Sequence, residues 1–395
     1  MKKKLLFVIP SLRIGGAEKS YVNLLTELDY TKYDVDALLL TPVGELISLL
    51  PKEVNVLPIQ DNFKIFSQSL LSSALTFLSK GKFNLAFYRI CFAILNRIEK
   101  NPAICEQKSW KYVKNFHHTI SKEYDAAIGY LEKTSTYFVR DKVISKNKIA
   151  WIHTDLEMAK LDLKREHQNL LYFNHIVTVS ENLVEKLKKV FPDLESKIIS
   201  IENIISKRAL VNLANEKISL PYSKENFNIV YVGRIAKEKG LFNALDAINL
   251  LIKKGYKINW YLIGWGDQES LLITKSKDYE IENNVHFLGA MSNPYPYLKN
   301  ADLFLLTSFY EGKSIAIEEA KLLAKPIVIT NFTTAKSQIN HLENGLIAEM
   351  DFESIACNIE LIIKNYDLKD RIIKNLEKSA KGNESEIDKL YKIFN

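Results

Sequence analysis

The chain has 395 residues, of which 47% are hydrophobic, with a net charge of +7 and three cysteines. That length predicts two domains with material for two cores, while Cys91, Cys105 and Cys357 are too scattered for a CxxC metal site or a disulfide framework and fit a reducing compartment. No stretch reaches the ~18 apolar residues of a membrane span, and the apolar run after Lys2-Lys3-Lys4 is too short for a signal peptide. The expectation is a soluble protein, at most held at a membrane surface.

In chain order, residues 5–9 (Leu-Leu-Phe-Val-Ile) form a continuous apolar run, as expected of a buried parallel strand. Gly15-Gly16 follows, then a helix with Val22, Leu24, Leu25 and Leu28 apolar. Paired glycines before a helix N-terminus let a ligand approach the backbone; an ordinary tight turn would use them too. The spacing is not GxGxxG, which disfavours a nicotinamide site. Asp34-Val35-Asp36 has the form of a metal-binding DxD, but it falls at the start of the strand 35–40 with no other ligand signal beside it, so chance explains it.

Residues 61–115 carry nine Lys/Arg against three acids, a net of +6. Phe63, Phe66, Phe77, Phe83, Phe87, Tyr88, Phe92, Trp110, Tyr112 and Phe116 are interleaved with them. Basic and aromatic residues along helical segments suit an anionic bilayer surface, and a helical insertion with its aromatics in a local core is the alternative. No nucleic-acid recognition motif accompanies the charge.

Strands are expected over 125–129, 148–152, 176–179 and 197–201, with His153 at the carboxyl end of the second and Ser180 capping a helix. Polar residues 212–226 read as the linker between domains. The strand–loop–helix pattern then restarts. Strand 228–232 leads through Gly233-Arg234 to Lys239-Gly240 and a helix from Leu241, a turn on which two cations can meet a diphosphate. Strand 260–263 leads into the lone GxG of Gly264-Trp265-Gly266, and strand 285–288 ends at Gly289.

The stretch 303–324 is the centre of this half. Leu303–Thr307 is a short buried strand, residues 308–314 a polar loop, and apolar 315, 316, 320, 323 and 324 have helical spacing. Such carboxyl-end loops hold ligands in parallel sheets. Glu311 in the loop and Glu319 in the helix can each accept two hydrogen bonds from vicinal hydroxyls. That suits a molecule with two sugars, although solvated acids near a helix N-terminus are the alternative.

Together these residues resemble a glycosyltransferase of the GT-B architecture, family 4, of the bacterial surface-polysaccharide type. The resemblance covers nearly the whole chain and rests on Gly15-Gly16-Ala17-Glu18-Lys19, Gly233-Arg234 with Lys239-Gly240, Phe287-Leu288-Gly289, Ala301-Asp302, and Glu311-Gly312 with Glu319-Ala320. It implies an α/β fold of two Rossmann-like domains facing across a cleft. An acceptor domain would span 1–211 with the insertion 61–116, a linker 212–226, a nucleotide-sugar domain 227–380, and a C-terminal helix 381–395 packing back on the first domain. It also implies retaining transfer of a hexosyl unit from a UDP- or GDP-linked sugar to a saccharide or polyprenyl-linked acceptor, in the cytoplasm or on the inner face of the membrane. Arg234 and Lys239 would hold the diphosphate, so neither metal nor cofactor is expected. Glu311 would meet the donor sugar, Glu319 the ribose, and Gly312, Lys313, Ser314 and Ile315 would offer backbone amides. Gly233 would shape the phosphate turn, Gly15 and Gly16 would let their loop approach, Leu288, Gly289 and Met291 would flank the base, and His153 would lie beside the sugar. Lys313 stands where that family commonly has an apolar residue, and Ile204-Ile205-Ser206 replaces its frequent Gly-Val-Asp. A GT-B epimerase or phosphorylase shares the architecture, and a noncatalytic nucleotide-sugar binder is the alternative from another class.

Overall fold

The computed structural model describes residues 2–394. The chain forms two compact units. One comprises the chain up to Arg13, Ala17–Ile204 and the residues from Ser385; the other comprises Ile14–Gly16 and Ile205–Glu384.

The first unit is built on seven strands: β1 (Lys3–Ile9), β2 (Tyr33–Leu39), β3 (Asn55–Val56), β4 (Ile120–Gly129), β5 (Val143–Ile152), β6 (His175–Thr178) and β7 (Ile198–Ser200). All pair in parallel, in the order β3-β2-β1-β4-β5-β6-β7. Residues Leu5–Ile9 of β1 are buried throughout, because helices cover both faces of a parallel sheet. Helix α1 (Gly16–Glu27) follows β1.

The basic segment is helical: α2 (Asp61–Phe66), α3 (Leu70–Ser79), α4 (Phe83–Ile98) and α5 (Pro102–Val113). Ser69 caps α3 by accepting from the Ser72 amide, and Asn101 caps α5 by accepting from the Ala103 amide, with Pro102 in the first turn. Phe63, Phe66, Phe77, Trp110 and Phe116 are buried in the core of this unit. Tyr88 and Phe92 pack half-buried against that core, so for most of the aromatics the local-core alternative describes the packing.

Six parallel strands form the second unit: β8 (Phe227–Val232), β9 (Ile258–Ile263), β10 (Val285–Gly289), β11 (Leu303–Leu306), β12 (Ile327–Thr330) and β13 (Leu346–Ala348). Their order, β10-β9-β8-β11-β12-β13, is the doubly wound 3-2-1-4-5-6 arrangement. Strand order reverses between β8 and β11, so the crevice at the carboxyl ends of these two strands is where such sheets take ligands.

The boundary between units differs from the expected 211. The helix Lys207–Ala214, capped by Ser206 through the Ala209 amide at 3.1 Å, belongs to the second unit. Its Leu210 and Ala214 are buried with Ile205, Tyr295, Leu322 and Ala380. Of the expected linker 212–226, residues 215–226 lack helix and strand. Polar Asn212 and Asn215 hid the helix, whose apolar face is just a few residues wide.

Candidate active site

Two loops meet at the point where the second sheet reverses. The one after β8 carries Gly233 to Gly240, and the one after β11 carries Thr307 to Ser314. Lys239 Nζ lies 2.7 Å from Glu311 Oε1, with the side chains only 16% and 13% exposed. The same carboxylate oxygen accepts from Ser308 Oγ at 2.7 Å. The expected phosphate-binding cation and the expected sugar-binding acid are thus brought together as an ion pair.

Their backbones are tied as well. Thr307 Oγ1 lies 3.0 Å from the Lys239 carbonyl and 3.1 Å from that of Gly240, and the Phe309 amide donates to the Glu238 carbonyl at 2.9 Å. Gly240 adopts φ +60°, and a Cβ there would stand 2.1 Å from the Thr307 carbonyl oxygen. Only glycine permits both that conformation and that approach.

Arg234 sits at the start of the same turn. Its side chain is 66% exposed, and its guanidinium donates to Glu238 at 2.8 Å, while Tyr231 Oη donates to the Arg234 carbonyl at 2.6 Å. The two cations each hold a carboxylate, Arg234 the more open one. Gly264 and Gly266 support this turn from behind. A Cβ on them would fall 1.8 Å from the Gly233 carbonyl oxygen and 2.1 Å from that of Ile235. The lone GxG is a packing device for the phosphate turn.

The loop from Glu311 to Ser314 is held from the far side by residues the sequence did not single out. Thr334 Oγ1 lies 2.9 and 2.8 Å from the carbonyls of Glu311 and Gly312. Gln338 accepts from the Ser314 amide at 2.8 Å and donates to the Gly312 carbonyl at 3.3 Å. Gly312 and Lys313 are exposed, Ser314 is buried and Ile315 is half-buried. Glu319 is buried in the helix Ile315–Leu322 and accepts from Tyr295 Oη at 2.7 Å. Burial first, then the neighbouring Glu319 carboxylate, pushes the Tyr295 phenol well above its usual range. One oxygen of Glu319 is therefore committed to a phenol that stays protonated. At the end of β10, Leu288, Gly289 and Met291 are half-buried, and the Gly289 carbonyl accepts from the Gly264 amide at 2.9 Å.

Gly15 and Gly16, which group with the second unit, lie between β1 and the body of α1, and a Cβ on Gly16 would find its nearest neighbour at 3.7 Å. That is an ordinary van der Waals distance, so close packing does not demand a glycine there. His153 follows β5 directly. Its backbone amide and the Thr154 hydroxyl both donate to the carboxylate of buried Glu132, at 3.1 and 2.9 Å. Burial holds the imidazole neutral, its pKa lowered to about 3, and Nε2 is buried with no hydrogen-bond partner. Buried polar atoms are rarely left so. Glu132 was not foreseen; an acid in a loop between apolar runs carries no signal of its own.

Asp36 is structural. It is buried, with Oδ2 taken by Lys122 at 2.8 Å and Tyr124 Oη at 2.6 Å, and Oδ1 by Asn55 at 2.8 Å.

The two doubly wound parallel α/β units have the GT-B fold of the solved structures that the chain superposes on. Residues 214–379 match the family described as glycosyl transferases group 1. The capsular polysaccharide biosynthesis glycosyltransferase CapM of Staphylococcus aureus is 29% identical over 234 residues, 55% of this chain and 61% of the relative. An N,N'-diacetylbacillosaminyl-diphospho-undecaprenol alpha-1,3-N-acetylgalactosaminyltransferase of Campylobacter jejuni is 24% identical over 251 residues, 62% of this chain and 63% of the relative. The matches thus span less than two thirds of these relatives' lengths. Among solved structures, Anabaena HepE in complex with UDP-glucose superposes with a TM-score of 0.63 at 16% identity, covering 96% of this chain and 94% of HepE.

Proposed function

We propose that the chain is a family 4, retaining glycosyltransferase that moves a hexosyl unit from a nucleotide-diphosphate sugar to a saccharide or lipid-linked saccharide during surface-polysaccharide synthesis. The observation that carries this is the Lys239–Glu311 pair at 2.7 Å where the second sheet reverses. HepE with its UDP-glucose and the undecaprenol-linked substrate in the name of the Campylobacter relative support the donor and acceptor classes. UDP is the first donor nucleotide to test, and GDP the second.

On this reading a donor diphosphate enters beside Lys239 and Arg234, and its sugar hydroxyls meet Glu311. The bond between the anomeric carbon and the leaving phosphate oxygen breaks. The acceptor oxygen bonds that carbon on the same face, and the acceptor proton passes to the leaving phosphate. Two preorganised cations stabilise the charge growing on that phosphate, a task that a divalent ion would otherwise perform. Glu319 is assigned to the ribose. His153 is assigned to the sugar as a neutral hydrogen-bonding group, which its unpartnered Nε2 suits. Association with an anionic membrane surface through residues 61–116 belongs to the same reading.

The test is release of nucleoside diphosphate from UDP- and GDP-hexoses in the presence of a polyprenyl-diphosphate-linked saccharide, with the product anomer assigned by NMR. Lys239→Ala should lower kcat/KM roughly 10²–10³-fold, the scale for one preorganised charge-stabilising donor. Near-wild-type turnover in that variant, or an inverted product, would overturn the mechanism.

A further inference from the structure

Helices α3 and α4 each have two apolar faces. On α4, Leu85, Ala86 and Phe92 turn inward to the core. Phe83, Phe87, Ile90, Ile94 and Ile98 are exposed, Phe83 by 69% and Phe87 by 61%. Their spacing of four, three, four and four residues confines them to an arc of about 80° at about 100° per residue. On α3, Leu71, Leu75 and Leu78 are likewise exposed with the same four-then-three step, opposite buried Ser73 and Phe77. Patches this large on a soluble surface mark a contact with something else.

Charge identifies the partner. No acidic residue occurs from Asn62 to Ile98, whereas five basic ones do. Several are already engaged: Arg89 donates to the Phe66 and Gln68 carbonyls, and Lys82 to Asn62. Lys80, in the turn before α4, and Arg97 and Lys100, at its far end, are exposed. An apolar stripe about 24 Å long, at 1.5 Å per residue, is thus bounded by cations at both ends. A second copy placed on this face would bring like charges together; a lipid surface with anionic headgroups would not.

We propose that the outer face of the α3–α4 hairpin is a membrane-insertion surface: Leu71, Leu75, Leu78, Phe83, Phe87, Ile90, Ile94 and Ile98 enter the acyl boundary while Lys80, Arg97 and Lys100 stay among the phosphates. The contact is mainly apolar. The buried aromatics of this segment do not take part. The inference rests on the functional reading only in taking a membrane as the place where a lipid-linked acceptor is met.

Sedimentation of the full chain with vesicles tests it, without any sugar nucleotide. The protein should bind phosphatidylcholine vesicles containing a quarter phosphatidylglycerol, and a substantial part should stay bound at about 0.5 M salt, where exposed charge attraction is screened. Phe87→Glu with Ile94→Glu should lower the partition coefficient by about a hundredfold or more, and Lys80→Gln with Arg97→Gln by roughly tenfold. All four sites are exposed, and unchanged circular dichroism melting would show the variants fold. In a Phe87→Trp reporter, fluorescence above the wild-type background should be quenched by lipids brominated on the acyl chain. Wild-type protein that ignores vesicles, a double-glutamate variant that binds like wild type, or an unquenched Trp on bound protein would each overturn the proposal. So would a wild-type dimer that the double-glutamate variant dissociates, since the face would then cover a second copy. Turnover on a water-soluble acceptor is read separately, so failure of insertion and failure of the transferase reading are distinguishable.

Discussion

Gly240→Ala is the sharpest test of how the candidate site is built. Two costs add at this position. A residue with a Cβ pays about 1–2 kcal/mol for the left-handed conformation, which Gly240 holds at φ +60°. The new Cβ would also stand 2.1 Å from the Thr307 carbonyl oxygen, a backbone atom that cannot swing aside, and relief of such overpacking costs about 1–3 kcal/mol. The sum is about 2–5 kcal/mol, which in a unit of this size corresponds to a melting-temperature fall of roughly 5–15 °C. Gly255 provides the control. It too has positive φ, +91°, but nothing lies within 4 Å of its Cβ position, so Gly255→Ala should cost only the conformational share. Scanning calorimetry that follows the transition of the second unit measures both. The shift that relieves the clash must also loosen Thr307 Oγ1 from the Lys239 and Gly240 carbonyls, so kcat/KM should fall in Gly240→Ala and hold in Gly255→Ala. Equal melting temperatures for the two variants would refute the account of the loop junction.

Calorimetric titration separates the two acids. Glu311→Gln should weaken a sugar nucleotide by ~1.5–3 kcal/mol relative to the free nucleoside diphosphate, because only the former carries the sugar, whereas Glu319→Gln should weaken both alike; identical profiles would end that division of roles. Activity should survive EDTA, because Arg234 and Lys239 supply the positive charge and Asp36 is committed to Lys122, Tyr124 and Asn55; loss on chelation with recovery on manganese would count against the phosphate site. Buried His117 has its pKa lowered from 6.5 to about 3, chiefly by desolvation, then by Lys142 and His118. Between those values the unfolded chain binds a proton that the folded one does not, so stability falls as pH drops below 6.5, by about 1.4 kcal/mol per pH unit. His117→Phe should remove about 2 kcal/mol of the loss between pH 7 and pH 5; urea midpoints at the two pH values check this, and an unchanged difference refutes it.

The strand–loop–helix alternation was readable because parallel strands buried on both faces leave continuous apolar runs, as in β1, β8 and β11. Strand β3, two residues long with both exposed, leaves no such trace. Lys239 and Glu311 were legible because chain position alone puts them at carboxyl ends of strands. Their mutual contact was not, since it depends on β8 lying beside β11, a pairing of segments more than 70 residues apart. Thr334 and Gln338 act through the carbonyls and amides of other loops, and a single hydroxyl or amide on a short helix does not announce which backbone it will meet. The 61–116 segment was the hardest to read. With apolar residues on opposite sides of α4, the pattern cannot say which stripe faces the core, and bulk aromatic content pointed at side chains that are buried.

One connection in the first unit bears on how the protein is made. The helix Ile387–Ile393 belongs to that unit. Tyr391 stacks on Tyr33 at 5.3 Å and accepts from the Asp29 amide at 2.9 Å, and Phe394 meets Tyr33 edge-on at 5.5 Å. A ribosome therefore releases the whole of the second unit before it delivers the residues that cover Tyr33. During synthesis Tyr33, at the start of β2, stays uncovered until the last residues arrive, so the first unit is not complete before the second, unlike the usual N-terminal-first order.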